Sequence, residues 1–550
     1  MVRRTCRPAS LLPLLVTLPL TSVATADLEL YAGQRFERQL ETALTLKLPV
    51  AAGDYVAGRI EVGGAALDAD LLDADGRHYR RIADGQTGVI DFRFVAESAA
   101  MSLRLVPAGA LALSMRLDEV VPATAQRPSP PEYLSPRIAR LAAELSAGRG
   151  SDDFWREVMT QGTPLLETRQ APEAFRPGTP VRMREQAIMT FLWRGARRNV
   201  RLVGGPSGDH AWLEQLGDSD VWFVSFPVPT GTRLAYQLAP DIPDIPGDAR
   251  ARRSALGATL RMDPLNRHPW PRQAPDPFSQ EATIVLPGAP PQPGTPADAS
   301  ADPQLRTFTF ASEKLGNTRQ VTIAHPRDLD PDDPRLIVAI VFDGERALRQ
   351  ADLPRMLDTL TASGRLPPVV AVLLPSIDSV TRARELPGND AFADVLADEL
   401  LPRIAALTGV RPVPSRTVLA GASYGGLASV TAALRRPEHF GNVLAMSASF
   451  WWAPEGEDSR DMPFVARLMA QSERQPLRLF LSAGTFETGN GEVDGILESA
   501  RRVRDTARLK GYQTHWREYA GGHDWLIWRG ALGDGLIALF GTKPDMGAGG

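Results

Sequence analysis

Ser423 stands in Gly421-Ala422-Ser423-Tyr424-Gly425, and the flanks of that pentapeptide give it meaning. Before it, Arg416–Ala420 is short, β-branched and apolar, the pattern of a buried strand; after it, Gly426–Arg436 reads as a helix. Strand, G-x-S-x-G and helix together make a nucleophile elbow, a tight turn that lifts a serine hydroxyl clear of a sheet. The chemistry this suits is acyl transfer: the hydroxyl attacks a carbonyl, and the helix N-terminus faces the charge that develops.

A serine nucleophile needs a base, and the chain holds 7 histidines. In sheets of this kind the acid and then the histidine follow the nucleophile. His439 follows too closely, at the end of the elbow helix, and His515 lies within the alternating segment Gln513–Tyr519, a strand-face position. His523 falls in the loop just past that strand and is the expected base. The acid should leave the preceding strand, Leu477–Ala483; Glu487 in its exit loop is the candidate, with Asp494 as the alternative. The oxyanion would be held by the backbone N–H of Tyr424 and by a second N–H at Gly344 or Glu345, just after the strand-like run Leu336–Phe342.

These residues must be carried by a sheet. Apolar runs at Leu336–Phe342 and Val369–Leu374, a helical pattern over Phe392–Leu407 and the elbow indicate a doubly wound parallel sheet from about Arg306 to Leu539. Upstream, two proline-rich tracts, Pro122–Pro136 and Pro287–Pro303, read as semi-rigid linkers. They divide the chain into an all-β domain at 27–120, a second domain at 135–285 and a catalytic domain at 303–545. In the first, Asp54–Val62, Ala66–Leu72 and Met101–Leu105 are expected strands of a small sandwich. Its Asp68-Ala69-Asp70 and Asp73-Ala74-Asp75-Gly76 invite a calcium reading, but an Asp-Gly hairpin turn accounts for them better. The second domain should open with short helices at Ile138–Leu145 and Phe154–Thr160 and continue as a β-sandwich from about Val181 to Leu238.

Composition bounds the rest. A net charge of −4 leaves no electrostatic footprint for nucleic acid. Residues 1–26 carry Arg3 and Arg4, an apolar core at Leu11–Leu20 and Ala24-Thr25-Ala26, the pattern of a signal peptide, and no later run is long enough to span a bilayer. The only cysteine, Cys6, would be removed with that peptide, so the mature chain forms no disulfide. A bacterial periplasmic location is expected, with release to the medium as the alternative. No metal or cofactor is called for.

The carboxyl half resembles the enterochelin (enterobactin) esterase family, α/β-hydrolases that cut the serine trilactone of catecholate siderophores. The resemblance rests on Phe342–Glu345, Asp378–Leu386, Gly421–Gly426, Ser447–Trp452 and Gly521–Arg529. Upstream, Phe154-Trp155, Gly162–Glu167, Thr190–Arg194 and Asp263–Asn266 are similar to the β-sandwich domain of the longer members, so about residues 135–540 are covered. The first β domain resembles the pre-peptidase C-terminal type of accessory domain.

By this resemblance the nucleophile and base fall on Ser423 and His523, while the acid is left open, since some members are described as using a serine–histidine pair alone. It implies hydrolysis of a ferric catecholate siderophore, a ligand of about three negative charges for which arginines are the natural partners. Arg382, Arg384 and Arg529 are the candidates, and Trp451, Trp452, Trp525 and Trp528 are aromatic residues able to wall a pocket. An arginine-lined pocket would favour the siderophore; a neutral one would favour a secreted esterase of feruloyl, acetyl or other simple esters. A siderophore-binding module without hydrolysis is the reading of another class.

Overall fold

A computed structural model describes residues 28–126, 132–169, 186–207, 210–295, 304–489 and 493–541. The expected signal peptide and parts of both linkers lie outside these residues. The chain divides into two compact units, Met1–Pro131 and Glu132–Gly550.

The described part of the first unit is antiparallel β-structure: β1 (Arg35–Leu40), β2 (Leu44–Leu48), β3 (Tyr55–Leu72), β4 (His78–Val95), β5 (Met101–Pro107) and β6 (Leu111–Val121). They run in the order β1-β6-β3-β5-β2, with β4 also on β3. Burial alternates along β3, which puts Val56, Ile60, Leu67 and Leu71 into one core. The two runs expected at 54–62 and 66–72 are therefore one long strand. The glycines between them mark a register shift, not a turn, because β3 changes one of its partners there from β6 to β5. Asp73 closes the β3–β4 hairpin, its Oδ1 accepting from the N–H groups of Asp75 and Arg77 at 3.0 and 2.8 Å. Asp68 accepts from Gly85 N–H, and Asp70 pairs with Arg81.

The second unit opens with helices Pro136–Ser146 and Asp152–Gln161. Ser135 caps the first by accepting from Ile138 N–H, and the helices bury Ile138, Leu141, Phe154 and Trp155 against Leu192 and Phe223. An eight-stranded antiparallel sheet follows: β7 (Leu165–Arg169), β8 (Gln186–Arg194), β9 (Val200–Val203), β10 (Ala211–Gln215), β11 (Val221–Pro229), β12 (Arg233–Pro240), β13 (Pro269–Trp270) and β14 (Glu281–Val285). Its order is β13-β14-β12-β9-β10-β11-β8-β7, so strands on both sides of the expected 181–238 span belong to it.

The last sheet contains β15 (Gln304–Ser312), β16 (Asn317–His325), β17 (Ile337–Phe342), β18 (Val369–Leu374), β19 (Thr417–Ala422), β20 (Asn442–Met446), β21 (Arg478–Gly484) and β22 (Gln513–Tyr519), in the order β15-β16-β18-β17-β19-β20-β21-β22. Strands β17 to β22 are parallel, as the apolar runs implied. The leading pair β15–β16 is antiparallel, so the sheet is mixed. Helices cover both faces, and successive residues of β17 feed opposite cores: Val338, Ile340 and Phe342 on one side, Ile337, Ala339 and Val341 on the other. Burial on both faces is why these strands read as unbroken apolar runs.

Two local expectations change. The helix expected at 392–407 is Asp390–Val395, a wide π turn at Leu396–Leu400, and Leu401–Thr408. Pro402 has no N–H to give the carbonyl four residues back, and the ladder widens just before it. The described end of the second linker is no free spacer. Gln292 donates to the Leu526 carbonyl, and Arg529 donates to Gln292 and Thr295 at 3.2 and 3.1 Å.

Candidate active site

Every group expected to react leaves the carboxyl end of a parallel strand, where open α/β sheets bind ligands. Ser423 follows β19 directly, with φ 57° and ψ −122°, and the helix Tyr424–Arg435 begins at the next residue. Two contacts force that geometry. A side chain on Gly421 would come within 2.6 Å of the Gly425 backbone, and Ser423 N–H is tied to the Met446 carbonyl at 3.0 Å. The strained φ of a non-glycine residue is thus held by its surroundings.

From the next strand, β20, come Ser447 and Ser449. The Ser449 hydroxyl lies 3.2 Å from Ser423 Oγ, and its N–H donates to the Ser423 carbonyl at 3.1 Å. Glu487 lies past β21 and is almost wholly buried. Its Oε2 accepts from Ser447 Oγ at 2.8 Å and Gly484 N–H at 2.5 Å, while Oε1 faces His523 Nδ1 at 2.6 Å. Trp528 Nε1 donates to Ser447 Oγ at 2.9 Å, and the Trp528 ring meets His523 edge-on at 4.7 Å. Glu487 accepting from Nδ1–H leaves Nε2 as the nitrogen that takes a proton. Asp494 is elsewhere, paired with Arg502 at 2.7 Å.

Ser423 and His523 open on a cavity of about 500 Å³ whose walls include Glu345, Arg382, Trp525 and Trp528. Gly344 starts a short helix at the end of β17. The Glu345 N–H is directed at its own carboxylate, which also accepts from Ser376 N–H at 3.2 Å. The arginine expectations separate. Arg382 reaches the cavity, but Asp343 grips it in two 2.7 Å hydrogen bonds, and its guanidinium lies 5.7 Å over the Tyr424 ring. Arg384 is exposed beside Glu385. Arg529 donates to the Ala351 carbonyl and to the linker, away from the cavity lining. Trp525 lines the cavity, Trp451 lies half-exposed on Tyr424, and Trp452 packs on Phe464.

The walls are richer in carboxyls than in arginines. Glu281, Asp343, Glu345, Asp378 and Asp524 face Arg346 and Arg382. Glu281 comes from β14 of the preceding sheet; burial pushes its carboxyl up, and no side-chain or backbone donor meets its Oε2 among the described residues. Asp524, beside His523, caps the last helix by accepting from Ile527 N–H at 2.9 Å, and burial raises its carboxyl well above the ordinary range. Burial also raises Glu345. Sequence reasoning missed Glu281, Asp343, Ser447, Ser449 and Asp524. Asp524 had a signal, an aspartate just before an apolar helix. Glu281 had none, being one polar residue in an ordinary strand.

A mixed α/β sheet whose strand ends gather Ser423, His523 and Glu487 defines the class, an esterase, and the "Putative esterase" family model matches residues 312–539. The model described as "Enterochelin esterase, N-terminal" matches residues 188–295. An iron(III) enterobactin esterase of Dickeya dadantii is 32% identical over 454 residues, covering 74% of this chain and 97% of that relative. The Escherichia coli K12 protein of the same name is 30% identical over 337 residues, 60% of this chain and 81% of its own. The chain belongs to the enterochelin esterase family. Among solved structures, the Shigella flexneri enterobactin esterase, crystallised in the presence of enterobactin, superimposes with a TM-score of 0.55 at 27% identity, covering 71% of this chain and 98% of that one.

Proposed function

We propose that this chain hydrolyses the serine trilactone of catecholate siderophores, its substrate being the ferric complex. The observation that carries this is the Glu487–His523 pair, with Oε1 2.6 Å from Nδ1, beside the strained Ser423 in a chain so similar to iron(III) enterobactin esterases. Ser423 Oγ attacks a lactone carbonyl carbon and gives its proton to His523 Nε2, while Glu487 stabilises the imidazolium. The N–H groups of Tyr424 and Gly344 receive the oxyanion, Gly344 being preferred because the Glu345 N–H faces its own carboxylate. Collapse breaks the ester bond, and His523 returns the proton to the departing serine hydroxyl of the siderophore. Water then attacks the acyl-enzyme by the same route, releasing the acid and restoring Ser423. Ser449 holds the Ser423 hydroxyl between turnovers. The opened trilactone grips iron less firmly.

In this reading residues 303–545 form an α/β-hydrolase domain, 135–285 a β-sandwich that lends Glu281 to the cavity, and 27–120 an accessory β-sandwich. Residues 1–26 direct export to the periplasm. None of the helices among the described residues is long and apolar enough to cross a membrane. Trp525 and Trp528 supply aromatic wall for a catechol ring. The carboxyl-rich lining favours the second reading, an esterase of feruloyl or other simple esters.

The test is a chromatographic time course of ferric enterobactin with wild type beside Ser423→Ala. We expect linear trimer, dimer or monomer from wild type alone, and a loss of at least about a thousandfold in the variant. If neither cleaves it while wild type hydrolyses a feruloyl ester, the siderophore assignment falls and the simple-ester reading stands.

A further inference from the structure

A second cavity, of about 690 Å³, opens in the antiparallel sheet and is unlike the catalytic one. Arg201 on β9 and Trp212 on β10 are direct cross-strand partners, and the Arg201 guanidinium lies 4.9 Å over the indole ring. Trp212 is nonetheless 52% exposed, a large aromatic face left open to solvent. Arg252 and Arg253 project from the helix Ala249–Leu256, which Asp248 caps by accepting from Ala251 N–H at 2.8 Å. Both arginines are exposed, and neither has an ion pair among the described residues. Ile242, Pro243 and Leu256 give apolar walls, and Asn199 fixes that loop by accepting from Ile242 N–H at 2.9 Å. Asp244 is the one carboxylate in the lining, against three arginines.

An indole face, apolar walls and the guanidinium groups of Arg252 and Arg253 in one concavity are complementary to a flat ring bearing negative charge. We propose that this cavity is a binding site for an anionic aryl ligand, an aryl carboxylate or catecholate, separate from the hydrolytic centre. The ring lies against Trp212, and its anionic group is held by Arg252 and Arg253. A short chain segment links this site to the hydrolytic one. The carbonyls of Gly204 and Gly205, just past β9, approach Gly522 beside His523, and Arg201 on β9 is four residues before Gly205. The inference goes beyond the hydrolytic reading, since a benzoate-type ligand would occupy the cavity whatever ester is cleaved.

Calorimetric titration of the full chain carrying Ser423→Ala with 2,3-dihydroxybenzoylserine tests it, beside the same chain with Arg252→Glu and Arg253→Glu added. We expect a set of sites whose affinity falls at least tenfold in the glutamate pair, weakens with added salt and returns in an Arg252→Lys, Arg253→Lys pair. Catechol, which lacks the carboxylate, should not fill that set at neutral pH. A thermal melt unchanged by the glutamate pair excludes misfolding as the cause. An isotherm identical in all three proteins would overturn the proposal. If wild type fails to open the trilactone while the charge-dependent site remains, the hydrolytic reading falls and this one stands.

Discussion

The two cavities of the second unit carry opposite chemistry in one chain of net charge −4. In the catalytic cavity, charge is turned inward: Arg382 is locked to Asp343, Glu487 to His523, and Glu281 and Asp524 sit in surroundings that favour their neutral forms. In the sheet cavity Arg252 and Arg253 are exposed, and the half-buried Arg201 is stacked on Trp212. The difference teaches that an arginine inside a functional motif need not be a ligand arginine. At the strand ends, where backbone and carboxyls are crowded, a guanidinium meets a protein partner first. On the helix Ala249–Leu256 it stays open to solvent.

The sharpest division lies among the carboxyls themselves. Glu487→Gln keeps the shape of the group but loses the charge that orients and supports His523, and kcat for ester hydrolysis should fall about a thousandfold or more. Asp494→Asn, which disturbs only a surface pair with Arg502, should leave kcat within about threefold. Steady-state kinetics on a chromogenic ester separates the two, and equal losses would dissolve the assignment of Glu487.

The arginines give the next contrast. Arg382→Ala strands the buried Asp343 carboxylate, and denaturant unfolding should show a loss of about 3 kcal/mol, the low end for a broken buried pair because Arg382 is itself 26% exposed. Arg382→Lys should recover only part of this, since an ammonium cannot make both 2.7 Å contacts in the fork geometry. Arg252→Ala, on the open cavity, should stay within about 0.5 kcal/mol of wild type. If the first two variants unfold like wild type, Arg382 is available to a ligand after all.

What could be read from the sequence follows from how local each signal is. The elbow, the base loop past β22 and the acid loop past β21 were legible because a parallel strand ends at a defined residue and its loop must follow. Linear order therefore maps onto spatial order at one edge of the sheet. The sequence preferred Glu487 but left Asp494 open, since both follow β21; the contact of Glu487 with His523 and the pairing of Asp494 with Arg502 distinguish them. Glu281 was illegible, as it enters the cavity from another sheet by tertiary packing. Arg529 misled for a related reason: its partners are backbone carbonyls, a glutamine and a threonine that no pairwise charge rule reveals. The leading antiparallel pair was missed because β15 and β16, with one face less buried, lack the continuous apolar run of their neighbours.

The smallest effect is the most direct test of the inward-turned charge. Asp524 is fully buried, and burial, with Glu281 and Glu487 adding to it, raises its folded-state pKa well above that of the unfolded chain. Between those two values the folded protein holds a proton that the unfolded chain has released. Stability from this group is therefore greatest below the unfolded pKa, near 4, and declines as pH rises toward the folded one. Asp524→Asn removes the titration yet keeps an oxygen to accept from Ile527 N–H, so the helix cap survives. Melting curves should show the variant gaining on wild type as pH rises from 4, by a few degrees at pH 8. A variant that loses stability equally at both pH values would mean that the Asp524 carboxylate is charged and paired in the folded protein, and the catalytic cavity would then be more strongly anionic than its burial implies.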